Sequence, residues 1–129
     1  MARDIEFTVF LPDHPESLAE LAEILGNAAV NIEGLQGAPY EGRWVMQLVT
    51  ENAEHTINVL NNAGVIFTAK EVLKLNLAHR PGSLALVARA MAEKQIRIAA
   101  VFITMQSQVM LDVDNLVEAE AIVSNLNLV

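Results

Sequence analysis

The 129-residue sequence contains no cysteine, one tryptophan and one tyrosine. Without cysteine there is no disulfide framework, no thiol nucleophile and no thiolate zinc site. No apolar run approaches the ~20 residues that span a bilayer. The opening residues, Met1-Ala2-Arg3-Asp4-Ile5-Glu6, hold no apolar stretch of signal-peptide type. A cytoplasmic protein without membrane contact is therefore the expectation. No Gly-rich phosphate loop is present. His14 and His55 have no partner at ligand spacing, so neither a metal nor a cofactor is expected.

Positive charge is scarce in one half only. Residues 1–65 carry two basic side chains, Arg3 and Arg43, against ten acidic ones, whereas residues 66–129 carry six of each. The net charge of −8 and the pI near 4.7 disfavour direct contact with nucleic acid. Against this stands an apolar content of 53% with mean hydropathy +0.33. That is high for a short chain, which has much surface to cover. It implies apolar surface buried between subunits, and so a homo-oligomer, most simply a dimer.

The sequence repeats itself at an offset of 66. His14-Pro15-Glu16-Ser17-Leu18-Ala19 lies over Arg80-Pro81-Gly82-Ser83-Leu84-Ala85, and Val30-Asn31-Ile32 over Ile96-Arg97-Ile98. Each half reads as strand, helix, strand, strand, helix. Ile5, Phe7, Val9 and Leu11 give a period of two. Ser17 with Glu20 reads as a capping box, and Leu18, Leu21, Ala22 and Leu25 follow at helical spacing, with Gly26-Asn27 as a stop. Residues 30–36 and 44–50 read as strands around a turn-rich loop, 36–42. Asn52 opens a second helix and Gly64 ends it.

In the second half Leu73, Leu75 and Leu77 form a strand, and Ser83 caps a helix to about Lys94. Strands follow at 96–105 and 108–113. Asn115 with Glu118 starts a last helix. Residues 65–72 supply a fourth strand to the first unit. The second unit's own fourth strand falls due where the sequence given stops, so it is missing, very short or supplied by a partner. Two tandem α+β units of βαββαβ order, 1–71 and 72–129, are expected to pack side by side, each an antiparallel sheet with both helices on one face. Tyr40 and Trp44 are expected in packing roles. Strand 96–105 is apolar on both faces, with Ile98, Ala100 and Phe102 on one and Ala99, Val101, Ile103 and Met105 on the other. The helices cover only one face of such a sheet, and the remaining face is where a second subunit is expected.

Leu77-Ala78-His79-Arg80-Pro81-Gly82-Ser83-Leu84 resembles the strand-to-helix loop of ACT domains, and Asp13-His14-Pro15-Glu16-Ser17-Leu18 resembles it again. The likeness extends over nearly the whole chain. It implies a non-enzymatic regulatory protein that senses an amino acid and acts on a partner enzyme or transcription factor. It also implies a ligand held between one unit's loop and its neighbour's second strand. The candidate site is then His79, Arg80, Pro81, Gly82, Ser83 and Leu84 with Asn31 and Glu33.

Physical chemistry supports that choice separately. A helix N-terminus offers unpaired N–H groups to a carboxylate, and a glycine admits it closely. The alternative for Pro81-Gly82-Ser83 is a tight helix entry and nothing more. The alternative for the whole protein is an interaction module that binds no ligand. The first loop departs from the pattern. Glu16 stands where the glycine is expected and Arg97 where Asn31 does. Asp13, Glu16 and Arg97 are therefore expected to form a pseudo-site closed by the protein's own carboxylate.

Overall fold

The structure, a computed structural model, describes residues 2–126. The described chain divides into two compact units. The first is Ile5–Lys70; the second comprises residues 2–4 and 71–126. Residues 2–4, expected to belong with the first unit, thus group with the second.

The elements are β1 (Ala2–Pro12), α1 (Glu16–Asn27), β2 (Ile32–Tyr40), β3 (Arg43–Thr50), α2 (Ala53–Asn62), β4 (Ile66–Leu75), α3 (Ser83–Glu93), β5 (Ile98–Ile103), β6 (Val109–Val113) and α4 (Leu116–Ser124). In the first unit the strand order is β2-β3-β1-β4, and in the second it is β1-β4-β6-β5. Each is the βαββαβ arrangement. The second unit's fourth-strand position, beside β4, is occupied from the other end of the chain, by residues 2–4 at the start of β1. Residues 127–129, where the sequence pattern located that strand, lie outside the described residues.

Each unit has its own core. Phe7, Val9, Leu21, Leu25, Met46, Leu48 and Leu60 fill the first, with Phe67 edge-on to Phe7 at 6.0 Å. Leu73, Leu75, Val87, Met91, Leu111, Val113, Ala119 and Val123 fill the second. The helical positions recur every three or four residues and the strand positions every two, as amphipathic elements require.

The duplication extends to backbone irregularities. Ala29 and Gln95, 66 apart, take left-handed φ of 58° and 57°, each just after a helix. Glu41 and Ser107 do so at the two hairpin tips, at 49° and 60°. The register slips between Ile32 and Gly34, and again between Ile98 and Ala100. A bulge at the same place in both copies is an inherited feature of the unit.

Several local expectations need correction. Ser17 is not a cap. Helix α1 starts one residue before it, and its buried hydroxyl donates to the Pro12 carbonyl. Ser83 likewise sits inside α3, whose N-cap is Gly82. Gly26-Asn27 does not stop α1, which ends through Ala28 and the left-handed Ala29. The loop expected over 36–42 is mostly strand, and only Glu41-Gly42 turns. Proline is tolerated there because β2 is an edge strand, and a Cβ at Gly37 would overlap the Met46 sulfur opposite it. Tyr40 is 64% exposed and packs nothing into the core. The caps Asn52 and Asn115 are as expected, accepting from the N–H of His55 at 3.0 Å and Glu118 at 3.1 Å.

Candidate functional site: two copies of one loop

Each unit turns from its first strand into its first helix through the same pair of backbone hydrogen bonds. In the first, His14 N–H donates to Pro12 at 3.1 Å and Ser17 N–H to His14 at 3.2 Å. In the second, Arg80 N–H donates to Ala78 at 2.9 Å and Ser83 N–H to Arg80 at 3.3 Å. One residue separates the two forms. Gly82 has φ +89° and stands outside α3, whereas Glu16 is already helical. Glycine is favoured at 82 by the left-handed backbone itself, a reason additional to ligand access. No side chain caps α3.

His79, Arg80, Pro81, Gly82 and Leu84 are exposed and Ser83 is half-buried. Gly82 also stands at one end of an open groove of about 720 Å³ along α3, lined by Leu86, Arg89 and Leu126 among others.

In the first unit Asn31 is exposed on the turn into β2. Its amide donates to the Glu51 carboxylate at 3.3 Å, and its carbonyl accepts the Glu51 N–H at 3.0 Å. Together with Asn52 and His55 these residues line a cavity of about 330 Å³. The His55 Nε2 lies 2.8 Å from the Ala28 carbonyl and fixes that wall. Glu33 is half-buried at the β2 bulge. In the second unit Arg97 matches Asn31; its N–H donates to the Asp114 carboxylate at 3.1 Å.

The first loop differs in chemistry. The Glu16 carboxylate meets His14 Nδ1 at 3.0 Å, and no side-chain cap closes α1. Asp13, His14 and Pro15 border a cavity of about 420 Å³ whose other walls are Leu18 and Trp44. Trp44 also packs against the first core, but its part in this cavity was missed from sequence. The hairpin register carries the signal, since Trp44 pairs with Leu11, two residues before Asp13.

Among the described residues no group of three or more metal-ligating side chains occurs, and no helix is long and apolar enough to cross a membrane.

No family model matches the sequence, and no curated protein matches it. Solved structures do resemble it in shape. A protein from Bacteroides thetaiotaomicron superposes with a TM-score of 0.86 at 15% identity, over 95% of this chain and 87% of that one. The ligand-free regulatory subunit of aspartate kinase from Thermus thermophilus gives 0.68 at 17% identity, covering 95% and 91%. The regulatory subunit of aspartate kinase from Thermus flavus gives 0.65 at 19%, covering 95% and 92%. The two that name a role are regulatory chains. The likeness runs the length of both partners, so both units are included in it. The chain has the fold of these regulatory subunits, built as two βαββαβ-like units.

Proposed function

We propose that this is a cytoplasmic, non-enzymatic regulatory protein that binds an amino acid, or a similar small carboxylate, and acts on a partner enzyme or transcription factor. The observation that carries the reading is the second loop. It leads through a left-handed glycine into a helix that no side chain caps. The carboxylate is received by the α3 N-terminus at Pro81, Gly82, Ser83 and Leu84, flanked by His79 and Arg80. The first loop is not a second such site. Glu16 puts a carboxylate where the ligand's would go, so the first loop binds no anion. One carboxylate ligand per chain follows.

A thermal-shift screen with the twenty amino acids tests this. A binder raises the melting temperature by mass action. Gly82→Glu removes the shift. Gly82→Ala is the control, since it imposes the same backbone strain without bulk or charge. No shift with any amino acid favours an interaction module without a ligand. Two equivalent sites per chain by titration calorimetry would refute the asymmetry.

The protein is proposed to act as a homodimer through β5. That edge strand reads Ile-Ala-Ala-Val-Phe-Ile, without a charge. Val101, Ile103 and, just beyond it, Met105 are 44%, 68% and 81% exposed on one face. The edge strand of the first unit, β2, is blunted by Glu33, Pro39 and two glycines. Ile103→Glu is expected to yield monomers in sedimentation at micromolar concentration; a monomeric native protein overturns the reading.

A further inference from the structure

The cavity beside the first loop has a chemistry of its own. It is lined by Trp44, the 43%-exposed Leu18, Pro15, and the polar residues Asp13 and His14. At about 420 Å³ it falls within the range of small-ligand sites. We propose that it binds a small organic cation of the alkylammonium class. The positive centre lies against the Asp13 carboxylate, and the methyl or methylene groups lie on Trp44 and Leu18.

Three observations fix the sign of the ligand. The polar side chains at the rim are a carboxylate, Asp13, and an imidazole whose Nδ1 already faces Glu16 at 3.0 Å. An anion would meet both carboxylates. The unit around it, Ile5–Lys70, has two basic side chains against nine acidic ones. The cation nearest in sequence, Arg43, lies with its guanidinium 4.9 Å from the centre of the Phe10 ring. Residues 43 and 44 point to opposite sides of β3, so Arg43 does not fill the Trp44 cavity.

The shape fixes the class. A tryptophan and an aspartate lining one cavity suit a cation with an apolar shell, which gains from the ring quadrupole and from desolvation together. A bare metal ion needs several oxygen or nitrogen ligands, and no such group exists among the described residues. The second unit sharpens the argument. At the positions of Asp13, His14 and Glu16 it has His79, Arg80 and Gly82, and it contains no tryptophan. One loop is thus built for the opposite charge to the other.

Trp44 is the sole tryptophan, so its fluorescence in the full-length protein reports the site directly. The probes are choline chloride, its uncharged isostere 3,3-dimethylbutan-1-ol, and potassium chloride, at constant ionic strength. Choline is expected to give a saturable change with half-saturation at about 1–10 mM. The alcohol is expected to bind about tenfold more weakly, and potassium chloride to give no change. Asp13→Asn should weaken choline to the level of the alcohol. Trp44→Leu, read by saturation-transfer NMR on the choline methyl protons, should abolish binding, with circular dichroism confirming the fold. No saturable response to choline, an equal response to the alcohol, or an unaffected Asp13→Asn overturns the proposal. The amino-acid screen is independent: a shift with an amino acid but no response to choline sinks this site alone, and the reverse result sinks the carboxylate site alone.

Discussion

Residues 16 and 82 hold the same place in the two units and have opposite backbones. The hydrogen bonds around them are the same, the helices that follow are of nearly equal length, and the buried residues correspond. Yet one position is a helical glutamate and the other a left-handed glycine. The charge follows the same division, because the acidic excess lies almost entirely in the first unit. Duplication has preserved what folds the unit and released what the loop presents. Two sites of different chemistry can therefore sit on one repeated scaffold.

The cores give the most forceful way to break that comparison. Leu25 and Met91 are 66 apart, and both are fully buried. Truncation to alanine at either is expected to cost about 2–5 kcal/mol in urea unfolding. If the repeat is structural throughout, the two costs agree within a factor of about two, the spread expected from context. A negligible cost at one position would show that its unit contributes little to stability.

A smaller effect comes from the polar pair buried in the first unit alone. Thr56 donates to the Asn52 carbonyl at 2.8 Å, so its single proton is used, and Thr50 must donate to Thr56 across 2.6 Å. The second unit has Val113 and Ala119 at these places, both in its core. Thr56→Ala strands the Thr50 hydroxyl and is expected to cost about 1–3 kcal/mol. Adding Thr50→Val reproduces the second unit's pair and should recover most of the loss. A double-mutant cycle with no coupling would show that the hydroxyls act separately.

Below this lies the backbone contrast itself. Gly82→Ala meets nothing within 4 Å, so its cost is purely conformational, about 1–2 kcal/mol. Glu16→Ala, at a helical position, is expected to lie within about 0.5 kcal/mol of neutral. Equal costs at the two positions would mean that the loops share one backbone after all.

These contrasts show how far the sequence could be read. The repeat, the element order, the asparagine caps and the charge asymmetry are all present in residue types and spacing. The ends of elements were less legible. Gly37 and Pro39 look like loop residues, but they serve an edge strand that needs neither every N–H nor every Cβ. Ser17 looks like a cap, but its hydroxyl satisfies the Pro12 carbonyl instead. Residues 2–4 look like the first unit's strand because period-two alternation cannot tell which neighbour a strand pairs with. The Trp44 wall of the first loop arises from cross-strand register, which no local window contains. The glycine at 82 was read from its access to a ligand, whereas its φ supplies a separate reason for it.

The smallest effect concerns residues 2–4, which join the second unit across the length of the chain. Arg3 reaches Glu120 of α4 with two guanidinium nitrogens and Glu71 of β4 with a third, at 3.4 Å. The hydrogen bond from Arg3 holds the Glu120 carboxyl below its ordinary value, and the carboxylates in turn raise Arg3. A carboxyl depressed in the folded state stabilises at pH above its unfolded pKa, and the contribution disappears as pH falls through the folded value. Both groups are open to solvent, so the effect is small and screened by salt. Glu120→Gln should therefore lower the melting temperature slightly at pH 7 and low salt. The difference from the native protein should shrink as pH falls through the depressed range of the Glu120 carboxyl, where the native side chain also becomes neutral. It should shrink likewise in about 1 M salt, where charges are screened within a few ångströms. A difference that persists unchanged at low pH and high salt would mean that Glu120 acts through packing on α4, and that residues 2–4 are held to the second unit by the strand pairing of β1 with β4 and by the Asp4–Lys74 ion pair at 3.0 Å.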